Sequence, residues 1–253
     1  VAQFAGCFSD LRDPELIEHT VQHLVAQRVF ALCLGYEDLN DHDTLRSDPL
    51  LSTVTGKSDP TGQDRLRKRD RGNAMAGKST LNRLELTPAN ATSESRYKKI
   101  VMDPDAVDRL FIDVFIREHG QAPSRVILDL DATDDPLHGN QEGRFFHGYY
   151  GHYCYLPLYI FCGESLLCAR LRRSDIDASK GTVEELSRIV PALRQAWPEV
   201  KILVRADSGF ARDEIMTWCE TNDVDYVFGV AKNPRLTEEL TEEMAKAKGE
   251  FEK

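Results

Sequence analysis

No stretch of this chain approaches the roughly 18 consecutive apolar residues of a membrane-spanning helix, which excludes a helical span. The N-terminus lacks the charged-then-apolar pattern of a secretory signal. It opens on Val1 rather than Met, so further residues ahead of it are expected. No CxxC pair occurs among the six cysteines (Cys7, Cys33, Cys154, Cys162, Cys168 and Cys219). Their scatter argues against a disulfide framework or a zinc site and fits a reducing cytoplasm. A basic excess is also missing. The net charge of −10 counts against a uniformly basic nucleic-acid binder, although it leaves room for local basic patches. There is no internal repeat and no low-complexity tract. At 253 residues the chain can hold one large domain or two smaller ones.

Two apolar runs that each end in an aspartate stand out. One is Arg125-Val126-Ile127-Leu128-Asp129-Leu130-Asp131 and the other Lys201-Ile202-Leu203-Val204-Arg205-Ala206-Asp207. A buried strand ending in a carboxylate puts a charge at the carboxyl edge of a sheet, where open α/β folds bind their ligands. Two such strands, distant in sequence, predict two acids converging on one site. Neighbouring carboxylates repel unless a cation lies between them, and a divalent metal is the usual solution.

The chain around these runs divides at about residue 95. Residues 1–95 read as a helical region with polar breaks. Asp13-Pro14-Glu15 carries helix-start chemistry, and Leu16, Ile17, Leu24, Val25 and Leu32 follow near the helical period, with Gly35 able to end it. A short helix is expected from Asp48-Pro49, a loop over 55–64, another short helix from Ser79 to Glu85, and a polar linker over 87–96. Asp103-Pro104-Asp105 starts a helix closed by Gly120, and the first Asp-terminated strand follows. The Tyr- and Phe-rich residues 145–161 read as one long strand, returned by Ser165 to Leu171 after a turn at Cys162-Gly163-Glu164. Then come a helix from Thr182 to Trp197, the second Asp-terminated strand, a helix from Arg212 to Glu220, a strand from Tyr226 to Val230, and a charged helical tail.

The resulting order over 96–253, βββαβαβ, predicts an antiparallel meander continued by parallel strands. This mixed α/β sheet has the order of the ribonuclease-H-like fold, in which the first and fourth strands are neighbours. Asp131 and Asp207 would then share one edge. Asp129 faces the same way as Asp131 but lies one pleat deeper. Two carboxylates at adjacent strand ends can bridge two magnesium ions about 3.5–4 Å apart for in-line attack on phosphorus.

Several motifs in this order resemble bacterial insertion-sequence transposases of the DDE type, the cut-and-paste branch with a Tyr-Arg-Glu-Lys signature. Asp131-Ala132-Thr133 is similar to the family's first-acid motif, and Arg205-Ala206-Asp207-Ser208-Gly209-Phe210 to its second. Leu171-Arg172, Tyr36-Glu37-Asp38-Leu39-Asn40-Asp41 and Ser79-Thr80-Leu81-Asn82-Arg83-Leu84-Glu85 extend the resemblance over most of the chain. It implies Asp131 and Asp207 as catalytic metal ligands, Mg2+ (or Mn2+) as cofactor, and double-stranded DNA (terminal repeats and target) as partner. It also implies a homodimer on DNA and a bacterial cytoplasmic, nucleoid-associated location. The family's third acid, a Glu on a late helix between Tyr-Arg and Lys, has no counterpart here. The expectation is therefore a C-terminally incomplete transposase, inactive or severely impaired by itself.

Further residues complete the reading. Arg65-Leu66-Arg67-Lys68-Arg69-Asp70-Arg71 is the densest basic stretch, so Arg65, Arg67, Lys68 and Arg69 are candidates to grip DNA phosphates, the alternative being a solvated basic face. Arg172 and Arg173, after a central strand, are candidates to reach substrate phosphate. Glu184 and Glu185 open a helix off its apolar stripe and read as a solvated helix start. They also define the alternative of a ribonuclease-H-like nuclease that completes its site with one of them. A non-catalytic DNA-binding remnant is a third reading. His147 and His152, five apart in an expected continuous strand, would face opposite sides and share no metal. Trp197 and Trp218 read as core anchors.

Overall fold

The computed structural model describes residues 1–231 and 233–251. They form two compact units, Val1–Leu110 and Phe111–Lys253. The division falls inside a helix, later than the expected border near residue 95. The reason is local: Ile100 is buried in the first unit's core, and Ile100–Met102 pairs with a strand at the start of the chain.

In the first unit, α1 (Ala2–Ala5), β1 (Phe8–Asp10), α2 (Val21–Cys33), α3 (His42–Leu45), α4 (Pro49–Val54), α5 (Lys78–Glu85) and β2 (Ile100–Met102) follow in order, and α6 (Pro104–His119) begins. The single helix expected from residue 13 is divided. Asp13 caps only a 3-10 turn, Pro14–Leu16, and Ile17 leaves it in an extended conformation. Thr20 then starts α2 by accepting the N–H of His23 at 3.2 Å, a new N-cap that ends any continuity. Asp48 caps α4 through the N–H of Leu51, as its Asp-Pro pair predicts. Leu24, Val25, Leu81, Leu84 and Ile100 make the core.

In the second unit, β3 (Arg125–Ala132), β4 (Asp135–Pro136), β5 (Phe145–His147), β6 (His152–Tyr155), β7 (Leu158–Cys162) and β8 (Ser165–Arg170) precede α7 (Thr182–Ala196). β9 (Lys201–Ala206), α8 (Asp213–Thr221), β10 (Asp225–Phe228), α9 (Pro234–Glu239) and α10 (Thr241–Phe251) complete it. The expected tail helix is thus two helices, and its last residues, Glu252 and Lys253, lie outside the described residues. The main sheet runs β10-β9-β3-β7-β8. β3 is antiparallel to β7 and parallel to β9, and β9 is parallel to β10. This is the ribonuclease-H-like strand order, with the first strand central.

The long strand expected over 145–161 does not form. Gly151 turns the chain with φ +75° and donates to the carbonyl of His147 at 2.8 Å, so 145–155 folds as a hairpin. That hairpin pairs with β4 in a separate three-stranded sheet. Strong β propensity across the aromatic run hides this turn, because propensity marks strand content rather than strand ends. The core of the main sheet is fully buried at Leu128, Leu158, Ile160, Leu167, Val204, Leu186, Ile189 and Leu193. Each such side chain stabilises the fold by about 1.5–3 kcal/mol relative to exposure. Trp197 belongs to this core, with Trp218 packed against it.

Candidate active site at the carboxyl edge of β3 and β9

The parallel pairing of β3 and β9 runs in unbroken register from Arg125 opposite Lys201 to Leu130 opposite Ala206. The next residue on each strand is an exposed aspartate, Asp131 and Asp207. Alternation explains their exposure: Val126, Leu128 and Leu130 point into the core, as do Ile202 and Val204 on β9.

The two acids differ in their surroundings. Asp131 has no hydrogen bond or ion pair among the described residues, while Asp129, two residues earlier on the same face, is held by Arg205 across the strand pair. Asp207 leaves the strand as the cap of a 3-10 turn, and its Oδ1 accepts the N–H of Gly209 at 2.8 Å. Capping and an acid role need not compete, since one oxygen takes the cap and the other remains. The backbone behind Asp207 is braced by Gly229. That residue donates to the carbonyl of Ala206 at 3.0 Å, and a Cβ on it would stand 3.2 Å from the amide nitrogen of Ser208.

Side chains that sequence reasoning missed support the loop after Asp131. His152 Nε2 lies 2.6 Å from Asp134 Oδ2, and the Tyr150 hydroxyl donates to the carbonyl of Ala132 at 3.4 Å. Burial raises the Tyr150 pKa, and Asp134, Tyr149 and Asp131 raise it further, so the phenol keeps its proton. His147 and His152 are directly opposed across the hairpin rather than on opposite faces. The rings of both lie against Tyr150, with centroids at 4.8 and 6.1 Å. The available signal is Gly148 and Gly151 enclosing two residues, a turn spacing that faces the flanking histidines.

Other candidates are placed differently from expectation. Arg65 is not a free phosphate ligand: it makes two hydrogen bonds to Glu18, at 3.1 and 3.0 Å, and donates to the carbonyls of Asn73 and Met75. Arg172 is likewise spent on protein acceptors, the carbonyls of Leu156, Ala178 and Lys180. Arg67, Lys68 and Arg69 are exposed, and Arg173 is exposed while paired with Asp175. Glu184 is exposed as expected, but Glu185 is only 7% exposed and is no solvated helix start. Arg170 and Arg188 donate to it at 2.5 and 2.8 Å. Burial alone would raise its pKa, yet these two arginines carry it below the ordinary value. A carboxylate so engaged does not complete a metal site. Among the described residues no group of three or more His, Cys, Asp or Glu side chains is disposed to hold a metal ion.

A ribonuclease-H-like sheet with an aspartate at the end of its first strand and another at the end of the adjacent fourth defines a class of nucleic-acid phosphoryl-transfer domains. The chain belongs to the transposase DDE domain group 1 family, whose model matches residues 1–253. It is a DNA transposase domain of that type. No curated protein matches it. Among solved structures, it is similar to the catalytic domain of the Mos1 mariner transposase at 12% identity and a TM-score of 0.32, over 56% of this chain and 69% of that one. It is also similar to the piggyBac transposase of a synaptic complex with hairpin DNA, at 13% identity and a TM-score of 0.33, over 76% of this chain and 53% of that one. These likenesses are shallow, and the family match carries the assignment. No helix among the described residues is long and apolar enough to cross a membrane.

Proposed function

We propose that Asp131 and Asp207 are two of the ligands that hold the divalent cations, Mg2+ or Mn2+, used to cleave transposon ends and join them to target DNA. The observation that carries this reading is the β3–β9 register, which makes the two acids successive neighbours at one sheet edge. The donor set fits a hard cation: carboxylate oxygens at an exposed edge, one acid without a protein partner and the other with a single hydrogen bond to one oxygen. A cation held there would activate a water or a 3′ hydroxyl and offset charge building on the phosphate.

The protein's own contribution is position. Gly209 fixes the direction of the Asp207 carboxylate, and Gly229 fixes the backbone beneath it. Arg205 keeps Asp129 occupied, which leaves Asp131 as the acid turned to the ligand. Tyr150 and the Asp134–His152 pair tie the first-acid loop to the β5–β6 hairpin. Exposed Arg67, Lys68, Arg69 and Arg173 supply DNA phosphate contacts, and two chains act on a pair of ends. The setting is a bacterial cytoplasm in which the chain meets the nucleoid.

Titration of Mn2+ into the purified chain tests the reading without depending on turnover. Asp131→Asn and Asp207→Asn should each weaken binding more than about tenfold. Unchanged affinity in both would remove these acids from the site.

A further inference from the structure

We infer that the first unit contains a built phosphate-binding cavity, and that its ligand is a backbone phosphate of DNA. It rests on the proposed DNA handling only for the source of that phosphate. The cavity, about 490 Å³, is lined by six arginines against three carboxylates, in a chain whose net charge is −10. Such a local excess of positive charge has no counterpart in the overall composition. It is repulsive in the folded protein unless an anion compensates it.

The six arginines are not equivalent. Arg12 and Arg65 belong to the wall. Arg12 makes two hydrogen bonds to Asp10, and Arg65 is held by Glu18 and two carbonyls. The Arg67 side chain has no hydrogen bond or ion pair among the described residues, and that of Arg69 only a 3.9 Å approach to Asp70. Arg46 lines the cavity with its Nε shielded from solvent and without a hydrogen-bond partner. As a lining residue Arg46 brings a guanidinium fork suited to phosphate oxygens, whereas its Nε is shut off from solvent and does not face the cavity. Arg83 lines the same space and lies over the ring of Tyr97 at 5.3 Å.

The start of α5 adds neutral donors. Ser79 and Thr80 line the cavity, and neither hydroxyl has a hydrogen-bond partner among the described residues. Gly77 caps α5 with no side chain, and a Cβ placed there would lie 2.9 Å from Asp43 Oδ1 and 3.2 Å from Arg46 Nη1, both movable side-chain ends. His19 lines the cavity at 6% exposure. Burial, followed by the fields of Arg65 and Lys57, pushes its pKa down to about 3, so the imidazole adds no charge of its own to the cavity. Arg65, Arg67 and Arg69 of the basic run therefore line one partly open cavity together with residues from Arg12 to Arg83.

The test uses the full chain, a labelled short DNA duplex over a salt series, and inorganic pyrophosphate titrated calorimetrically. Arg46→Gln, and separately the exposed pair Arg67→Gln/Arg69→Gln, should each weaken duplex binding about tenfold or more. Each should also make the slope of log K against log salt shallower by about 1 for every phosphate the variant no longer grips. Pyrophosphate affinity should fall in parallel. Arg125→Gln/Lys201→Gln, at the amino ends of β3 and β9, should change neither. The exposed pair keeps the test valid if Arg46→Gln fails to fold. Duplex binding that persists through the cavity substitutions overturns the cavity and leaves DNA handling standing. A chain that ignores duplex but binds pyrophosphate through Arg46 and Arg67 upholds the cavity for small phosphates and removes its DNA assignment. A chain whose cavity variants bind pyrophosphate as the wild type does overturns the inference.

Discussion

Asp129 and Arg205 are paired across β3 and β9, and the guanidinium holds the carboxylate through two hydrogen bonds of 2.5 and 2.9 Å. The pairing distinguishes two acids that alternation places on the same face. Asp129 is held by Arg205 within the sheet, whereas the Asp131 side chain has no such partner among the described residues. Asp129→Asn should therefore lower Mn2+ affinity by less than about threefold, while Asp131→Asn should lower it more than about tenfold. Calorimetric titration of both variants checks this. Equal losses would mean that the two acids act as one cluster.

Gly229 gives a second handle on the same edge. A methyl group there meets the amide of Ser208 at 3.2 Å and the carbonyl carbon of Asp207 at 3.4 Å, so the neighbouring backbone must yield by a few tenths of an ångström. Sites that orient charged ligands lose function on displacements too small to unfold them. Gly229→Ala should keep the melting temperature within a few degrees, since a cost of about 1 kcal/mol corresponds to no more in a chain of this size. Mn2+ affinity should drop several-fold. Gly249→Ala, in open space on α10, is the matched control.

Glu185 is a stability element with a pH signature. Its pKa is lowered in the folded state against its unfolded value near 4.5, so the folded protein holds fewer protons there. The stabilisation is complete above that unfolded value and is lost as pH falls through the lower folded value. Glu185→Gln should cost about 1–3 kcal/mol at neutral pH. That is below the usual loss for a fully buried pair, because Arg170 and Arg188 are partly solvated. The gap between variant and wild type should narrow at pH values below about 4. Denaturant unfolding at a series of pH values measures both. A gap that stays constant with pH would mean that packing, not charge, holds α7 to β8.

The parts legible in the sequence are those governed by local period and composition. Val126, Leu128 and Leu130 alternate before Asp131, and Ile202 and Val204 before Asp207, so strand, edge and acid can be read together. The element order then places the two strands side by side. Arg65 and Arg172 escape such reading because a guanidinium looks alike in sequence whether it meets water or backbone carbonyls. Their acceptors, Glu18 and Asn73 or Leu156 and Ala178, are set by tertiary folding. Glu185 shows the boundary well. Its partner Arg188 lies one helical turn away and can be anticipated. Arg170 lies on β8 and cannot. The hairpin of 145–155 is hidden for a different reason: Gly151 is a one-residue signal inside a run whose neighbours all favour extended chain.

Gly62 controls the wall of the arginine-lined cavity. Its φ is +67°, and a Cβ would lie 2.5 Å from the amide nitrogen of Ala74 and 2.8 Å from its Cα. Ala74 is fully buried, so the obstruction is backbone that cannot rotate away. Gly62 also accepts the N–H of Gly72 at 3.1 Å, which closes the loop that carries Arg67 and Arg69. Gly62→Ala thus combines a left-handed backbone with a hard clash, and should cost more than about 2 kcal/mol. Because the two compact units have separate cores, this loss should appear as an earlier transition of the first unit, followed by exchange of the amides of α2 and α5. Amides of β3 and β9 should exchange as in the wild type. Duplex affinity should fall with the loop while Mn2+ affinity at Asp131 and Asp207 is retained. Simultaneous loss of both would mean that the first unit's loop is required for the acids of the second.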